Sequence, residues 1–200
     1  PNRMAGGLAS SRSKLIAAVV PSTVVSVFME TIESLNGTLF DAGYQLMLGQ
    51  SGYSAEREEL LLEAIIGRRP DGIFITGILP PGKARTRLLA SGIPVVETWD
   101  LLSDPIEHSV GFSNSQATAD LVRGLHAKGY RRFAFLGGLP ESDARGADRR
   151  RGFESALQAL ELDATRMVSV GHAPVSMADG AKGIVQLMAT WPDVEAVVVL

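Results

Sequence analysis

The chain has 200 residues, 46% of them apolar, enough to bury a core in one domain or two small ones. Its net charge is −3 and it contains no cysteine, which excludes disulfides, thiolate metal sites and cysteine nucleophiles and agrees with a reducing compartment. No apolar run approaches the roughly 20 residues of a membrane-spanning helix, so no membrane partner is expected.

The first fifteen residues hold Arg3, Arg12 and Lys14 and no acid, so a basic arm precedes an acidic body. Such an arm suits a polyanion, and equally an ordinary solvated tail. No secretory leader opens the chain. Pro1 in place of an initiator Met, and the unbroken apolar run at 197–200, are expected to be the cut ends of a longer protein.

Residues 16–20 form a short apolar run closed by Pro21 and Ser22, a buried-strand pattern. Phe28, Ile32, Leu35 and Leu39 then recur at helical spacing, with Gly43 where a C-terminal cap belongs. A second strand is expected over 44–48. Ser54 is a candidate N-cap; Glu56, Glu58 and Glu59 suit the helix dipole, and Leu61/Ile65 and Leu62/Ile66 supply the buried face. Strands at 71–77, 94–97 and 109–112 flank a helix over 82–90. The alternation then restarts: a helix capped by Asn114 or Ser115 and running to Lys128, a strand at 132–136, a helix over 148–160, a strand at 167–170, a helix over 176–190 and a strand from Glu195. Continuous βα alternation with apolar strands predicts an α/β fold with parallel sheets covered by helices on both faces. The turn-rich join at 101–108 favours two doubly wound lobes over one large sheet. The expected division is a hinge segment at 1–13, an N-terminal lobe at 14–108 and an incomplete C-terminal lobe at 109–200.

Catalytic signatures fail on inspection. The segment 77–84 matches seven places of a phosphate-binding loop, but Ala84 stands where the magnesium-holding Ser or Thr belongs. Pro80 and Pro81 also remove N–H groups that such a loop donates. His108, His126 and His172 lack metal-ligand spacing. Gly111, Phe112 and Ser113 lack the second glycine of a nucleophile elbow. No cofactor, metal or enzymatic activity is expected; the body reads as a binding protein.

Several segments together resemble one family. They are PNRMAGGLA at 1–9, IAAVVPS at 16–22, RPDGIFI at 69–75, GIPVV at 92–96, GFSN at 111–114, GYRRFAFLGG at 129–138 and RRRGF at 149–153. In this order they resemble the lactose/galactose-repressor family of bacterial transcriptional regulators. YQLML at 44–48, Gly52 and Tyr53, PVVETWD at 94–100 and VGF at 110–112 look most like its gluconate-operon repressors.

The resemblance implies two lobes like those of periplasmic binding proteins, with a helix-turn-helix domain preceding residue 1. It implies a hinge that becomes helical on operator DNA, with Leu8 inserted into the minor groove, Asn2 and Ala5 at the groove wall and Arg3 at phosphate. Gly6 and Gly7 each weaken that helix by roughly 1 kcal/mol relative to alanine. For a small-molecule effector held between the lobes, it points to Val27, Phe28, Tyr53, Thr76 and Trp99 from the first lobe. Gln116, Arg145, Arg149 and Val175 are its counterparts in the second. Arg149 is the leading candidate, because a guanidinium can fork onto a carboxylate or vicinal hydroxyls. The alternative is a surface arginine in the run Arg149, Arg150, Arg151, since adjacent helix residues cannot all face inward. Gln116 stands where sugar-binding relatives often carry an acid, which favours an anionic ligand. The expected protein is a cytoplasmic homodimeric repressor that senses a sugar or sugar acid, gluconate first. A periplasmic-type sugar-binding protein for transport and an enzyme using the same cleft are the alternatives.

Overall fold

Leu15–Val20 forms β1, an interior strand of a first sheet, and its alternation serves two cores at once. Ala17 and Val19 enter a cluster with Leu62, Ile65, Ile73, Ile75, Leu88 and Val95. Ala18 and Val20 enter another with Ile32 on the opposite face. A strand covered on both faces needs apolar residues at every position, which is why it reads as an unbroken run. Each fully buried Leu, Ile or Phe side chain stabilises the fold by about 1.5–3 kcal/mol. The structure, a computed structural model, describes residues 12–77, 79 and 81–199. The hinge residues Asn2, Arg3, Ala5 and Leu8 lie outside that set.

The first sheet is parallel throughout, in the order β2-β1-β3-β4-β5. Its strands are β1, β2 (Gln45–Gln50), β3 (Gly72–Thr76), β4 (Val95–Thr98) and β5 (His108–Val110). Between them run α1 (Ser26–Asp41), α2 (Ala55–Gly67) and α3 (Lys83–Ser91). Ser54 caps α2 by accepting the Arg57 N–H, and Gly92 closes α3 at φ 65°, a left-handed conformation that glycine adopts without strain.

The second sheet has the order β7-β6-β8. It is built from β6 (Phe133–Gly137), β7 (Met167–Ser169) and β8 (Ala196–Val199), with α4 (Asn114–Ala127), α5 (Ala144–Ala159) and α6 (Met177–Thr190). Phe133 and Phe135 pack with Ala119, Val122, Phe153 and Leu157, while Ala134 and Leu136 pack with Val168 and Leu187. The chain divides into two units at Gly111/Phe112.

Helix α5 starts one turn before the sequence pattern shows it. The expected start at Asp148 rests on the apolar positions Phe153 and Leu157. In the structure Asp143 caps the helix by accepting the Arg145 N–H, and a 3₁₀ turn (Pro140–Ser142) leads into it. The first turn carries little apolar surface, so periodicity misses it, and the consequence is large. Arg145 becomes a helical residue one turn ahead of Arg149.

Candidate functional site

In parallel α/β sheets ligands gather beyond the carboxyl ends of strands, where the strand order reverses. In the first sheet that reversal falls between β1 and β3. Val27 and Phe28 follow β1 in the first turn of α1, and Thr76 ends β3. Phe28 and Thr76 are buried, whereas Val27 is exposed. The α1 N-cap, Val25, makes no side-chain cap bond. Tyr53 follows β2 at φ 61°, beside Gly52, whose N–H donates to the Pro21 carbonyl and ties that loop to the end of β1.

Trp99 follows β4 at φ 69° and donates its N–H to the Val110 carbonyl of β5. Its indole meets the Phe28 ring edge-on, with centroids 5.5 Å apart and planes at 89°. That geometry is the favoured one for aromatic pairs. It joins the segments after β1 and β4, two strands separated in the sheet by β3. The sequence reading names both residues but not the contact.

Around Trp99 lies a set of acids that sequence reading missed. Glu97, 1% exposed in β4, accepts the Ile106 N–H on Oε2 at 2.7 Å. Its Oε1 has no hydrogen-bond partner; the Arg85 Nη1 is 3.9 Å away. Arg85 itself donates to the Asp104 carbonyl at 2.7 Å and to its carboxylate at 3.1 Å. Asp100 is also buried, with Oδ1 accepting the Leu101 N–H and Oδ2 unbonded. The Gly111 Cα lies so close to Asp100 that a Cβ there would sit 2.4 Å from the Asp100 backbone. Nothing in the sequence distinguishes these acids from solvated ones.

Beyond β2, burial pushes the Glu58 carboxyl up, and a hydrogen bond from the buried Ser51 hydroxyl offsets part of that rise.

In the second unit the order reverses at β6; Gln116 lies on α4, before that strand, and Arg145, Arg149 and Val175 follow it. Ser113 caps α4 by accepting the Gln116 N–H, which leaves Asn114 at the first helical position, 1% exposed. Arg149 donates from Nε to Asn114 Oδ1 at 2.8 Å. The contact depends on Gly152: a Cβ there would lie 2.0 Å from the Ser115 carbonyl oxygen, so α5 approaches α4 only because the position is glycine. Arg145, 8% exposed, lies one turn before Arg149 on α5, with its Nε 3.8 Å from Asp143 Oδ1.

The arginine run is thereby sorted. Arg149 reaches Asn114, Arg150 pairs with Glu154 at 3.0 Å and Arg151 pairs with Asp148. Gln116 is exposed and donates from its amide to Asp120 at 3.0 Å. Val175, half-buried, stands against Gly138 just after β6. The helical pattern marks Asn114 as a candidate cap; its tie to Arg149 needs the helix approach, which sequence does not show. Among the described residues no group of three or more acids or histidines is placed to hold a metal ion, and no helix is long and apolar enough to cross a membrane.

Comparison with known proteins gives the family. The profile described as periplasmic binding proteins and sugar binding domain of the LacI family matches residues 13–200, and the chain belongs to that family. It is 35% identical over 196 residues to the HTH-type transcriptional regulator GntR of Pseudomonas aeruginosa, covering 98% of this chain and 57% of that protein. The Escherichia coli K12 protein of the same name is 31% identical over 157 residues, covering 78% of this chain and 47% of its own length. The chain thus spans about half the length of these curated relatives. Among solved structures, transcription regulator GntR from Chromobacterium violaceum is 36% identical with a TM-score of 0.83, over 92% of this chain and 67% of that one. A LacI-family transcriptional regulator from Silicibacter pomeroyi is 33% identical with a TM-score of 0.89, over 93% and 69%. These relatives are named as regulators of transcription, none as an enzyme.

Proposed function

We propose that this chain is the effector-sensing part of a bacterial transcriptional repressor, and that its effector is a small sugar acid, gluconate first. One observation supports this most directly: Arg149 is turned onto Asn114 at the start of α4, with buried Arg145 one turn away on the same helix. Two guanidiniums held close together on one helix suit a carboxylate better than a neutral sugar. Val27, Phe28, Tyr53, Thr76 and Trp99 of the first unit, and Gln116, Arg145, Arg149 and Val175 of the second, are the residues proposed to bind it. Phe28 and Trp99 offer aromatic surface for the apolar face of a polyol. Thr76 and Gln116 offer hydroxyl and amide groups.

The protein acts in the cytoplasm as a homodimer on operator DNA. Asn2, Arg3, Ala5 and Leu8 form the hinge that meets the minor groove, and a helix-turn-helix domain reads the sequence. Effector binding favours one of two conformational states, and the difference in its affinity for the two sets the change in operator affinity, typically 1–3 kcal/mol of coupling. The names of the relatives favour this regulator over a transport binding protein, which the family description also covers.

A thermal-shift panel of gluconate, neutral hexoses, pentoses and purines on the full-length protein tests the effector. Gluconate is expected to raise the unfolding midpoint, as any ligand that binds only the folded state does. A rise with a neutral sugar or purine and none with gluconate overturns the choice.

A further inference from the structure

We propose that Glu97 is a positioning residue: its buried carboxylate fixes the connection from β4 to β5 and thereby the indole of Trp99. The inference rests on the proposed reading of Trp99 as an effector-binding residue.

The connection over 99–107 is tied back at several points. Trp99 donates to the Val110 carbonyl, the Glu107 carboxylate accepts the Val95 N–H at 2.9 Å, and Arg85 holds Asp104 by two hydrogen bonds. In the middle, the Ile106 N–H donates to Glu97 Oε2. An N–H taken out of water needs an acceptor, and an apolar side chain at 97 would remove this one.

Glu97 is a poor choice for stability alone. Among the described residues its other oxygen is buried without a hydrogen bond, and the Arg85 guanidinium stands 3.9 Å from it. Apolar residues often replace such buried ion pairs with no loss of stability, so an acid here points to a conformational role. The conformation it stands beside is unusual. Trp99, two residues on, has a left-handed backbone that a tryptophan holds only when its surroundings fix it, and its ring is set edge-on to Phe28.

The test uses the full-length protein labelled with 5-fluorotryptophan, with the Trp99 fluorine signal assigned through Trp99→Phe. Glu97→Leu removes the acceptor without adding an unbonded polar atom; Glu97→Gln keeps an acceptor for Ile106. Glu97→Leu is expected to shift or split the Trp99 signal and to raise the gluconate midpoint at least tenfold. Glu97→Gln should restore a single signal and a midpoint within threefold of the parent. Leu88→Ala, which opens the same core, should lower thermal stability without moving the signal. If Glu97→Leu does not fold, Glu97→Ala carries the same expectation.

A parental Trp99 signal in a folded acceptor-less variant overturns the proposal, and so does an equal disturbance from Leu88→Ala. A moved signal with an unmoved gluconate midpoint upholds the positioning role and removes Trp99, or gluconate, from the effector reading instead.

Discussion

Two groups of acids, one in each unit, are held in opposite ways. Where β6, β7 and β8 begin, Asp163, Asp193 and Glu195 form a solvated clamp with every carboxylate engaged. Asp163 accepts from the Thr165 hydroxyl and N–H and from Arg166; Asp193 meets Arg166 and Arg132. Glu195 accepts the N–H groups of Arg131 and Arg132 and pairs with the Arg132 guanidinium. In and just after β4 of the first unit, Glu97 and Asp100 are buried and, among the described residues, each keeps an oxygen without a hydrogen bond. The clamp joins strand ends at little desolvation cost, so stability suffices to explain it. The two buried acids carry a desolvation penalty that stability does not explain, and they flank Trp99 in the sequence. Acids that close a fold and acids that shape a site are separated here by burial, not by residue type.

That contrast can be broken by removing the cation on each side. Arg85→Met leaves the Glu97 carboxylate buried and uncompensated, and is expected to lower the unfolding free energy of the full-length protein by about 3 kcal/mol in urea titration. Arg166→Met removes a cation whose two carboxylate partners are about half exposed, and the expected loss is under about 1 kcal/mol. Equal losses would erase the distinction.

Acid sharpens it further. The Thr165 hydroxyl and N–H and the Arg166 guanidinium hold the Asp163 carboxyl down to about 2, against an ordinary value of 3.8. A depressed carboxyl contributes stability that is complete above its unfolded value and lost as the pH falls through the folded one. The loss therefore falls between about pH 4 and pH 2. After solvent screening it amounts to less than about 1 kcal/mol, smaller again in 1 M salt. Urea titrations from pH 5 to pH 2 should show a shallower decline in Asp163→Asn; an identical decline would take Asp163 out of the clamp.

Much of the fold was legible because its signals are local. Apolar runs gave the buried strands, glycines such as Gly43, Gly92 and Gly129 marked helix ends, and Ser54 announced its cap. The start of α5 was not legible, since Asp143 caps a turn that buries little apolar surface, and Arg145 was placed without its helix. The partner that Arg149 meets, Asn114, was equally hidden. It follows from the close approach that Gly152 allows, a tertiary fact. Glu97 and Asp100 were invisible for a plainer reason: a buried acid and a solvated one are written with the same letter. The candidate effector residues rest on resemblance, while the contacts Arg149–Asn114 and Phe28–Trp99 are tertiary and leave no local signal.

The most direct test of the whole account is an operator-binding titration of the full-length protein and its Arg149→Ala variant, each with and without gluconate. The account predicts that gluconate changes the affinity of the parent at least tenfold and leaves Arg149→Ala unmoved, with both binding the operator equally in its absence. A parent indifferent to gluconate, or an Arg149→Ala protein that answers as the parent does, would contradict it.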